Sequence, residues 1–573
     1  MHALNSFSAL TTPAKIRWSL GLFILLSSCL VLGAYATALN RLFYTTYGPF
    51  YDSMSYFSAI GWIIETGRTA GISEAFKQAC TNSTVFLPFG IAALLSPVLP
   101  VDRAVGVWLQ IPFVFVLLVS LWIYFRVRME AEPVLAAILA LPAASITAIY
   151  QYNGGISDFR MDLMLYLMAG SASLWLFIAL HRGNITDWLL CGLLCALASL
   201  SRATAVIYLF VIFAPVLCAH FVFQSKKRRQ ILIGACLVGA TWLVFAAWFF
   251  FLNYDQLYFY YFVWNTDANA KLPISQSVQH FVFAARGVGF PVFIAGVIAG
   301  VIGIVFSASP RPLRVKEFPG RFPWELLWLA LAPAGFLTLR GAGLNPFVSM
   351  PTALGIVLLP LALPVTWRNL PLKSAMAVAL VVALGCMVSA WRGWDLHAHP
   401  RGYVYRAKPF EDVTRAIRTS FSPKESEAIA INTLGCGSIV PMSVENYLTF
   451  DARFIPQANR RLKDPATGHV TAFNSVRGTD CATLIEWQQR PGSTDEERID
   501  LLANEIAQSS DLLLLPTKET ADYMLLKMRQ NYINIHAGKL REAILEKGKW
   551  IVLQESLEFS RREKYILLKN AGR

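Results

Sequence analysis

Long apolar segments recur along this 573-residue chain as far as Trp391. A helix needs about 20 predominantly apolar residues to cross the roughly 30 Å hydrocarbon core of a bilayer. Segments that approach or reach this length lie near Trp18–Leu39, Ala104–Phe125, Val134–Tyr150, Asp162–Leu180, Trp188–Leu200, Ala203–Phe223, Ile231–Leu252, Val288–Phe306, Trp324–Leu339, Pro346–Leu363 and Ser374–Trp391. The sequence therefore predicts a polytopic α-helical membrane protein with about eleven transmembrane helices.

Composition agrees with this class. Charged residues make up 15% of the chain and hydrophobic residues 55%, whereas a soluble protein is about a quarter charged. The formal net charge is +14, but the basic residues lie in short clusters between apolar segments. A nucleic-acid-binding protein would instead gather them on one polar domain. We therefore expect membrane lipids, and no nucleic acid, as partners.

The basic clusters indicate the topology. If the N-terminus is cytoplasmic, every dense basic cluster falls on the cytoplasmic side, as the positive-inside rule requires. The clusters are Arg126 with Arg128, Arg182, Lys226 to Arg229, Arg311 to Arg321, and Arg368 with Lys373. An odd number of spans then places the residues after Trp391 outside the cytoplasm. The first segment, which follows Lys15 and Arg17, is interpreted as an uncleaved signal anchor.

The C-terminal part of the chain has a different pattern. Its charges are nearly balanced, and short apolar strands alternate with helical patterns. The strands are Ala428–Asn432, Asp511–Leu515 followed by the helical run Glu519–Met528, and Trp550–Gln554 paired with Lys564–Lys569. The sequence thus predicts a small α/β soluble domain over residues 392–573, extracytoplasmic, after a transmembrane domain over residues 1–391.

Cysteine and histidine spacing does not indicate a metal site. Cys436 and Cys481 lie in the soluble domain, where an oxidising compartment allows either a disulfide or two free thiols. His397 and His399, near Asp395, lie at the junction of the last span and the soluble domain, which favours an interfacial pair. Zinc-type Cys/His spacing and nucleotide-type glycine loops are missing from the sequence. We therefore expect no metal and no cofactor.

The first outer loop is long, about residues 40–103. Apolar positions three and four apart after Tyr51 and Asp52 predict an amphipathic interfacial helix. Asp52 lies just before it, and either caps this helix or serves catalysis. The stretch Val85–Leu99 is apolar but interrupted by proline, and counting it as a span would reverse the sidedness of all later loops. We interpret it as a helix at the outer interface.

Charged residues also open the fourth span. Asp158 and Asp162 are one helical turn apart, with Arg160 between them. Carboxylates at a helix start are favoured by the helix dipole, so a structural role is the alternative to a functional one.

Several cations lie at the predicted outer helix ends. Arg202, between two short apolar helices, is either an interfacial anchor or an anion ligand. Arg340, Lys271 and Arg286 lie on the same side. Cations near acidic residues suit a ligand that carries a phosphate group.

The outer loop Asn253–His280 is rich in aromatic residues and includes Trp264 and Asp267. Such residues commonly anchor a loop to the membrane interface. The alternative is that Trp264 stacks on a sugar while Asp267 hydrogen-bonds its hydroxyl groups.

In these features the chain resembles the GT-C superfamily of polytopic glycosyltransferases, in particular the branch with protein mannosyltransferases and lipid A aminoarabinose transferases. The resemblance covers roughly residues 1–225. It rests on Tyr51-Asp52 in the long first outer loop, on Phe86-Leu87-Pro88 leading to Asp102-Arg103, on Asp162 opening the fourth span, and on Arg202 after the fifth. The family often has Lys near the position of Arg202, and Asp158 is an alternative to Asp162 as the second acidic residue.

This resemblance implies a bacterial inner-membrane enzyme that moves a monosaccharide from a polyprenyl-phosphate carrier to an acceptor hydroxyl on the extracytoplasmic side, with inversion. The acceptor is a glycan, a lipid or a protein. The implied roles are general base for Asp52, orientation of the acceptor or first loop for Asp162 or Asp158, donor-phosphate binding for Arg202, Arg340 and Lys271, and sugar or acceptor contacts for Tyr51, Arg160, Trp264 and Asp267.

A multi-pass transporter or flippase is the alternative class. Transporters usually show inverted repeats and broken helices near the midplane. The two halves of this sequence show no internal similarity, and the predicted spans contain almost no charge. The sequence therefore favours the glycosyltransferase.

Overall fold

The computed structural model describes residues 12–47, 51–81, 85–100, 102–258, 273–306, 323–341, 350–364, 366–400, 406–421, 430–434, 475–479, 494–527, 532–561 and 563–572. The chain divides into two compact units. The helical unit comprises Met1–Asn40, Ile63–Leu99 and Ala104–His399, and the mixed unit comprises Arg41–Trp62, Pro100–Arg103 and Pro400–Arg573. The predicted boundary near residue 391 stays a prediction.

Helices make up the described chain as far as His399. In chain order they are α1 Thr12–Thr46, α2 Tyr51–Thr69, α3 Ile72–Thr81, α4 Leu87–Leu95, α5 Ala104–Arg128, α6 Pro133–Ala140, α7 Met161–Arg182, α8 Ile185–Ser201, α9 Ala205–Phe223, α10 Arg228–Leu252, α11 Tyr254–Tyr258, α12 Ile274–Ser277, α13 Gln279–Val288, α14 Phe290–Phe306, α15 Trp324–Arg340, α16 Met350–Leu361 and α17 Leu372–Ala398. Short 3-10 helices cover Leu141–Ala144, Thr147–Tyr150 and Ser225–Lys227.

Each predicted apolar segment contains one of these helices, and the protein is an integral membrane protein. Six helices in the described residues are long and apolar enough to span a bilayer. The segment Ile274–Val288, which contains α12 and α13, forms a further pair with α14, bent by 77°. The number of eleven spans stays a prediction. The third segment differs from expectation, because α6 ends at Ala140 and continues as 3-10 turns around Pro142. Proline lacks the backbone N–H that an α-helix requires.

The stretch Val85–Leu99 contains one short helix. Its helix α4 has nine residues, or about 14 Å of helix, which is half the hydrocarbon thickness. Pro88 lies in its first turn. The short helix agrees with this interpretation, and the position of the stretch at the outer interface stays a prediction.

The core of the helical unit is α7. In the apolar 18-residue stretch of this helix, 94% of the residues are buried. Asp162 lies in its first turn and Arg182 in its last, as the helix dipole favours. Gly183, with φ +77°, ends it in the left-handed conformation that glycine adopts most readily. Gly170 lies against Leu354 of α16, and such small residues allow membrane helices to approach closely.

The mixed unit contains a five-stranded sheet. After α18 Ala407–Ser420, its elements are β1 Ala430–Leu434, β2 Ser475–Thr479, α19 Asp495–Ser509, β3 Leu512–Pro516, α20 Lys518–Lys527, α21 Tyr532–Lys547, β4 Trp550–Ser560 and β5 Glu563–Asn570. The strand order is β2-β1-β3-β5-β4. The β1 strand pairs in parallel with β2 and β3, whereas β5 pairs antiparallel with β3 and β4.

Alternate residues of β3 point to opposite faces of this sheet. Leu512 and Leu514 pack with side chains of α18, whereas Leu513 and Leu515 pack with side chains of α19 and α21. This three-layer arrangement confirms the predicted small α/β domain. The predicted pairing of Trp550–Gln554 with Lys564–Lys569 is also confirmed. Cys436 and Cys481 lie outside the described residues.

Candidate active site

The loop before α7 carries one cluster of charged side chains. Asp162 is the second residue of α7, and its side chain is 2% exposed. Its Oδ1 atom accepts a hydrogen bond from the Arg202 guanidinium, and its Oδ2 atom is 3.5 Å from Nε of Arg160. One carboxylate is thus shared by two guanidinium groups. In such a partly buried setting, each charge depends on its partners to offset the loss of water.

Arg202 reaches Asp162 because of the backbone at the end of α8. It is the C-cap residue, with an extended conformation at φ −160° and ψ 122°, and its side chain is 18% exposed. The sequence predicts these two residues at the same side of the membrane, and the structure adds that they are in contact.

Arg340 belongs to the same neighbourhood. It is the last residue of α15, and its side chain is exposed. Arg202, Asp162 and Arg340 all lie close enough to the hydroxyl of Tyr208 to act on it electrostatically. Tyr208 is a buried residue of α9, which packs against both α7 and α15. Sequence reasoning missed Tyr208, since a tyrosine within an apolar segment gives no local signal of function.

Asp158 has a different local role from Asp162. It is 1% exposed, and its Oδ2 atom accepts a hydrogen bond from the Gly154 amide at 2.7 Å. Gly154 has φ +87°, a conformation that most side chains disfavour. Arg160 donates a hydrogen bond to Oδ1 of Asn153 at 2.8 Å. Asp158 and Arg160 therefore shape the loop from which Asp162 projects.

Buried polar groups from distant helices fasten this loop. The Asn40 side chain donates to the Ser157 carbonyl at 2.7 Å, and the Gln110 side chain donates to the Ile156 carbonyl at 3.1 Å. The Ser157 hydroxyl lies 2.7 Å from Nε2 of His397. Asn40, Gln110 and His397 are all buried. We call these three residues and Ser157 the loop clamp.

His397 is not the interfacial residue that the sequence predicts. Its side chain is fully buried, and its Nδ1 atom is 2.7 Å from the Gly393 carbonyl. A carbonyl can only accept, so Nδ1 carries the proton and Nε2 accepts from Ser157. His399, by contrast, is exposed and lies 3.4 Å from Asp395. The predicted pair is therefore wrong, because a helical turn that buries His397 leaves His399 on another face.

The fold of this chain is similar to that of a solved structure. The structure of ArnT from Cupriavidus metallidurans in the apo state matches 96% of this chain and 98% of that chain, with a TM-score of 0.55 and 11% sequence identity. The chain has a GT-C-like fold. An oligosaccharyltransferase from Archaeoglobus fulgidus in the apo form matches 92% of this chain and 73% of that chain, with a TM-score of 0.48 and 14% identity. No protein-family profile and no curated protein sequence matches the chain.

The structure describes only some of the other predicted site residues. Tyr51 and Asp52 lie in the first turn of α2, in the mixed unit. The helix thus begins at Tyr51, and Asp52 does not precede it as the sequence predicts. Lys271, Trp264 and Asp267 lie outside the described residues.

The mixed unit also contains a buried cation near α2. The guanidinium carbon of Arg103 is 3.3 Å from the centroid of the Tyr44 ring and 5.1 Å from that of the Phe57 ring. Arg103 is 4% exposed. A cation stacked on aromatic rings is stabilised by their negative faces, and Phe57 belongs to the same helix as Asp52. In the described residues, no group of three His, Cys, Asp or Glu side chains is placed to hold a metal ion.

Proposed function

We propose that this protein is a membrane glycosyltransferase that moves a monosaccharide from a polyprenyl-phosphate carrier to an acceptor hydroxyl, with inversion. The observation that carries the proposal is the shared carboxylate of Asp162, which orients Arg202 and Arg160 near Arg340. This cluster lies at one end of three helices in a chain with a GT-C-like fold. A charged cluster at a helix end can meet the phosphate of a lipid whose tail stays in hydrocarbon.

The arginines suit the leaving group. As the bond between the anomeric carbon and the phosphate oxygen breaks, negative charge grows on the phosphate. Arginine offers several N–H donors in a planar fork that matches phosphate oxygens. Arg202, held by Asp162, and the exposed Arg340 are the proposed phosphate ligands. Lys271 is proposed as a third. Preorganised donors of this kind need no rearrangement as the charge develops.

The acceptor hydroxyl needs a general base to take its proton as it attacks. We assign this role to Asp52, which takes the proton of the acceptor hydroxyl as its oxygen attacks the anomeric carbon. Attack opposite to the departing phosphate inverts the configuration there. Asp162 is assigned a positioning role because its two oxygens already contact Arg202 and Arg160. Asp158 shapes the same loop.

Sugar or acceptor contacts are assigned to Tyr51, Arg160, Trp264 and Asp267. The acceptor is a glycan, lipid or protein hydroxyl. The positive-inside rule places the N-terminus in the cytoplasm and the mixed unit outside it, and we propose the bacterial inner membrane as the location. No cofactor or metal is required by this scheme.

The first test is glycosyl transfer in membranes that contain the wild type, Asp52→Asn or Asp255→Asn. Polyprenyl-phosphate sugars serve as donors, and whole envelope provides acceptors. Asp255 is an exposed residue of α11, and its substitution is the matched control. We expect Asp52→Asn to lower the rate by about 10²- to 10⁴-fold and Asp255→Asn to have no effect.

Equal transfer by Asp52→Asn and the wild type would remove Asp52 from catalysis. Failure of the wild type with every donor would favour a transporter or flippase, which binds such lipids without breaking the glycosyl bond.

A further inference from the structure

A second feature lies at the opposite ends of the helices that carry the candidate site. A cavity of about 910 Å³ is lined by the C-terminal parts of α7 and α9 and the N-terminal part of α15. His181 lines the cavity and is roughly 29 Å along α7 from Asp162, at 1.5 Å per residue. The cavity is therefore separate from the cluster around Asp162.

The cavity wall is apolar and opens sideways. Its lining includes Phe177 of α7, Val216 of α9 and Trp328 of α15. At its edge, Phe223 is 85% exposed and Trp324 is 54% exposed. Exposed aromatic side chains on membrane helices are suited to contact with lipid at the interface, so a lipid is a fitting occupant at this edge. The volume of the cavity lies near the upper end of the about 300–1,000 Å³ typical of ligand pockets.

One end of the cavity is polar and basic. Arg128, the last residue of α5, binds Glu325 through its Nε atom at 3.1 Å. No described residue is hydrogen-bonded to its two terminal nitrogens. The Gln224 amide lies 2.8 Å from Nδ1 of His220. When that amide nitrogen donates, Nδ1 accepts, and the imidazole N–H is on Nε2. Lys227 adds an exposed ammonium group.

We propose that this cavity binds one anionic glycerophospholipid of the cytoplasmic leaflet. Its phosphate contacts Arg128, His220 and Lys227, and one acyl chain lies along Val216 and the other apolar side chains. The basic residues at this end belong to the clusters that the positive-inside rule assigns to the cytoplasm. Basic pockets between membrane helices on that side are suited to anionic lipid headgroups. The proposal is independent of the glycosyltransferase activity.

The full-length protein is reconstituted in vesicles that contain equal amounts of phosphatidylglycerol and phosphatidylcholine and is then extracted with detergent. Native mass spectrometry measures the lipid that stays bound. Variants Lys227→Gln and Ala219→Trp are compared with Lys226→Gln. Ala219 is an exposed lining residue, so a tryptophan there fills the cavity without disturbing the core. Lys226 is the adjacent exposed lysine, and it does not line the cavity.

We expect the wild type to retain phosphatidylglycerol in preference to phosphatidylcholine. Lys227→Gln should lower its retention about fivefold, Ala219→Trp should abolish it, and Lys226→Gln should have little effect. Equal retention of the two lipids, an unchanged Ala219→Trp variant, or equal effects of the two lysine substitutions would each overturn the proposal. Displacement of phosphatidylglycerol by equimolar polyprenyl phosphate would also overturn it, because the cavity would then be assigned to the carrier. Displacement by inorganic phosphate would overturn it too, because it would exclude a role for the acyl chain.

Discussion

The two ends of α7, α9 and α15 each carry an acid–arginine pair, but in different surroundings. At one end, Asp162 is 2% exposed and shared by Arg202 and Arg160. At the other, Glu325 is 12% exposed and binds Arg128 beside an open cavity. The first pair lies against a loop fastened by buried hydrogen bonds, and the second lies against an apolar wall. The arginines Arg202 and Arg128 are equally exposed, at 18% each, so the two ends differ in the burial of the acid and in what surrounds the pair.

Asp162→Asn should have the largest effect on the molecule. It leaves two guanidinium groups without their shared carboxylate, and loss of one partner from a buried ion pair costs about 3–5 kcal/mol. We expect denaturant unfolding of the detergent-solubilised protein to show this loss, together with loss of glycosyl transfer. Full stability with normal transfer would show that the contact is incidental.

Arg202→Gln should lower transfer nearly as strongly. Removing one preorganised donor to a developing negative charge costs about 10²- to 10³-fold in rate. Arg202→Lys keeps the charge but loses the planar fork, so its rate should lie between those of the wild type and Arg202→Gln. Arg392→Gln is the control, because Arg392 is an exposed arginine of α17 to which no role is assigned. Equal rates for Arg202→Gln and Arg392→Gln would contradict the phosphate role.

Glu325→Gln tests the comparison from the other end. Glu325 itself is more exposed than Asp162, so we expect a loss of about 1.5–3 kcal/mol in unfolding free energy, as for a hydrogen bond to a charged group. Transfer by the folded protein should fall less than for Asp162→Asn. An equal loss of transfer would mean that the two ends are coupled.

Ser157→Ala should have the smallest effect. It removes one member of the loop clamp and leaves Nε2 of His397 without this donor, which costs about 1 kcal/mol. Transfer should fall modestly, because Asp162 remains in place. Ser171→Ala is the control, since its hydroxyl donates within α7 to Leu167. The clamp would have no role in the site if both variants behaved alike.

The sequence predicted what a local pattern can encode. Apolar length predicted the helices because a bilayer requires it, and alternation predicted the pairing of Trp550–Gln554 with Lys564–Lys569. The break at Pro142 was missed because apolar content outweighed one proline. Asp162 and Arg202 were predicted as candidate site residues, but their contact was not, because it joins positions 40 apart. Such contacts depend on helix packing, which no short window contains.

The loop clamp was missed for the same reason. Ser157 and His397 are separated by 240 positions, and no spacing rule links them. A signal did exist for Gln110, because a polar residue inside an apolar segment is costly unless it finds a partner. That rule indicates a buried partner without identifying it, and the partner here is the Ile156 carbonyl.

The loop clamp also constrains biosynthesis. A chain is made from its N-terminus, and its parts fold as they become available. Asn40 and Gln110 precede the loop that they fasten, whereas His397 is made hundreds of residues later, at the end of α17. The loop before α7 is therefore contacted first by Asn40 and Gln110, and its contact with His397 forms only after α17 has been made. A chain that stalls before α17 would lack this contact, so the position of His397 ties the complete loop clamp to synthesis of α17.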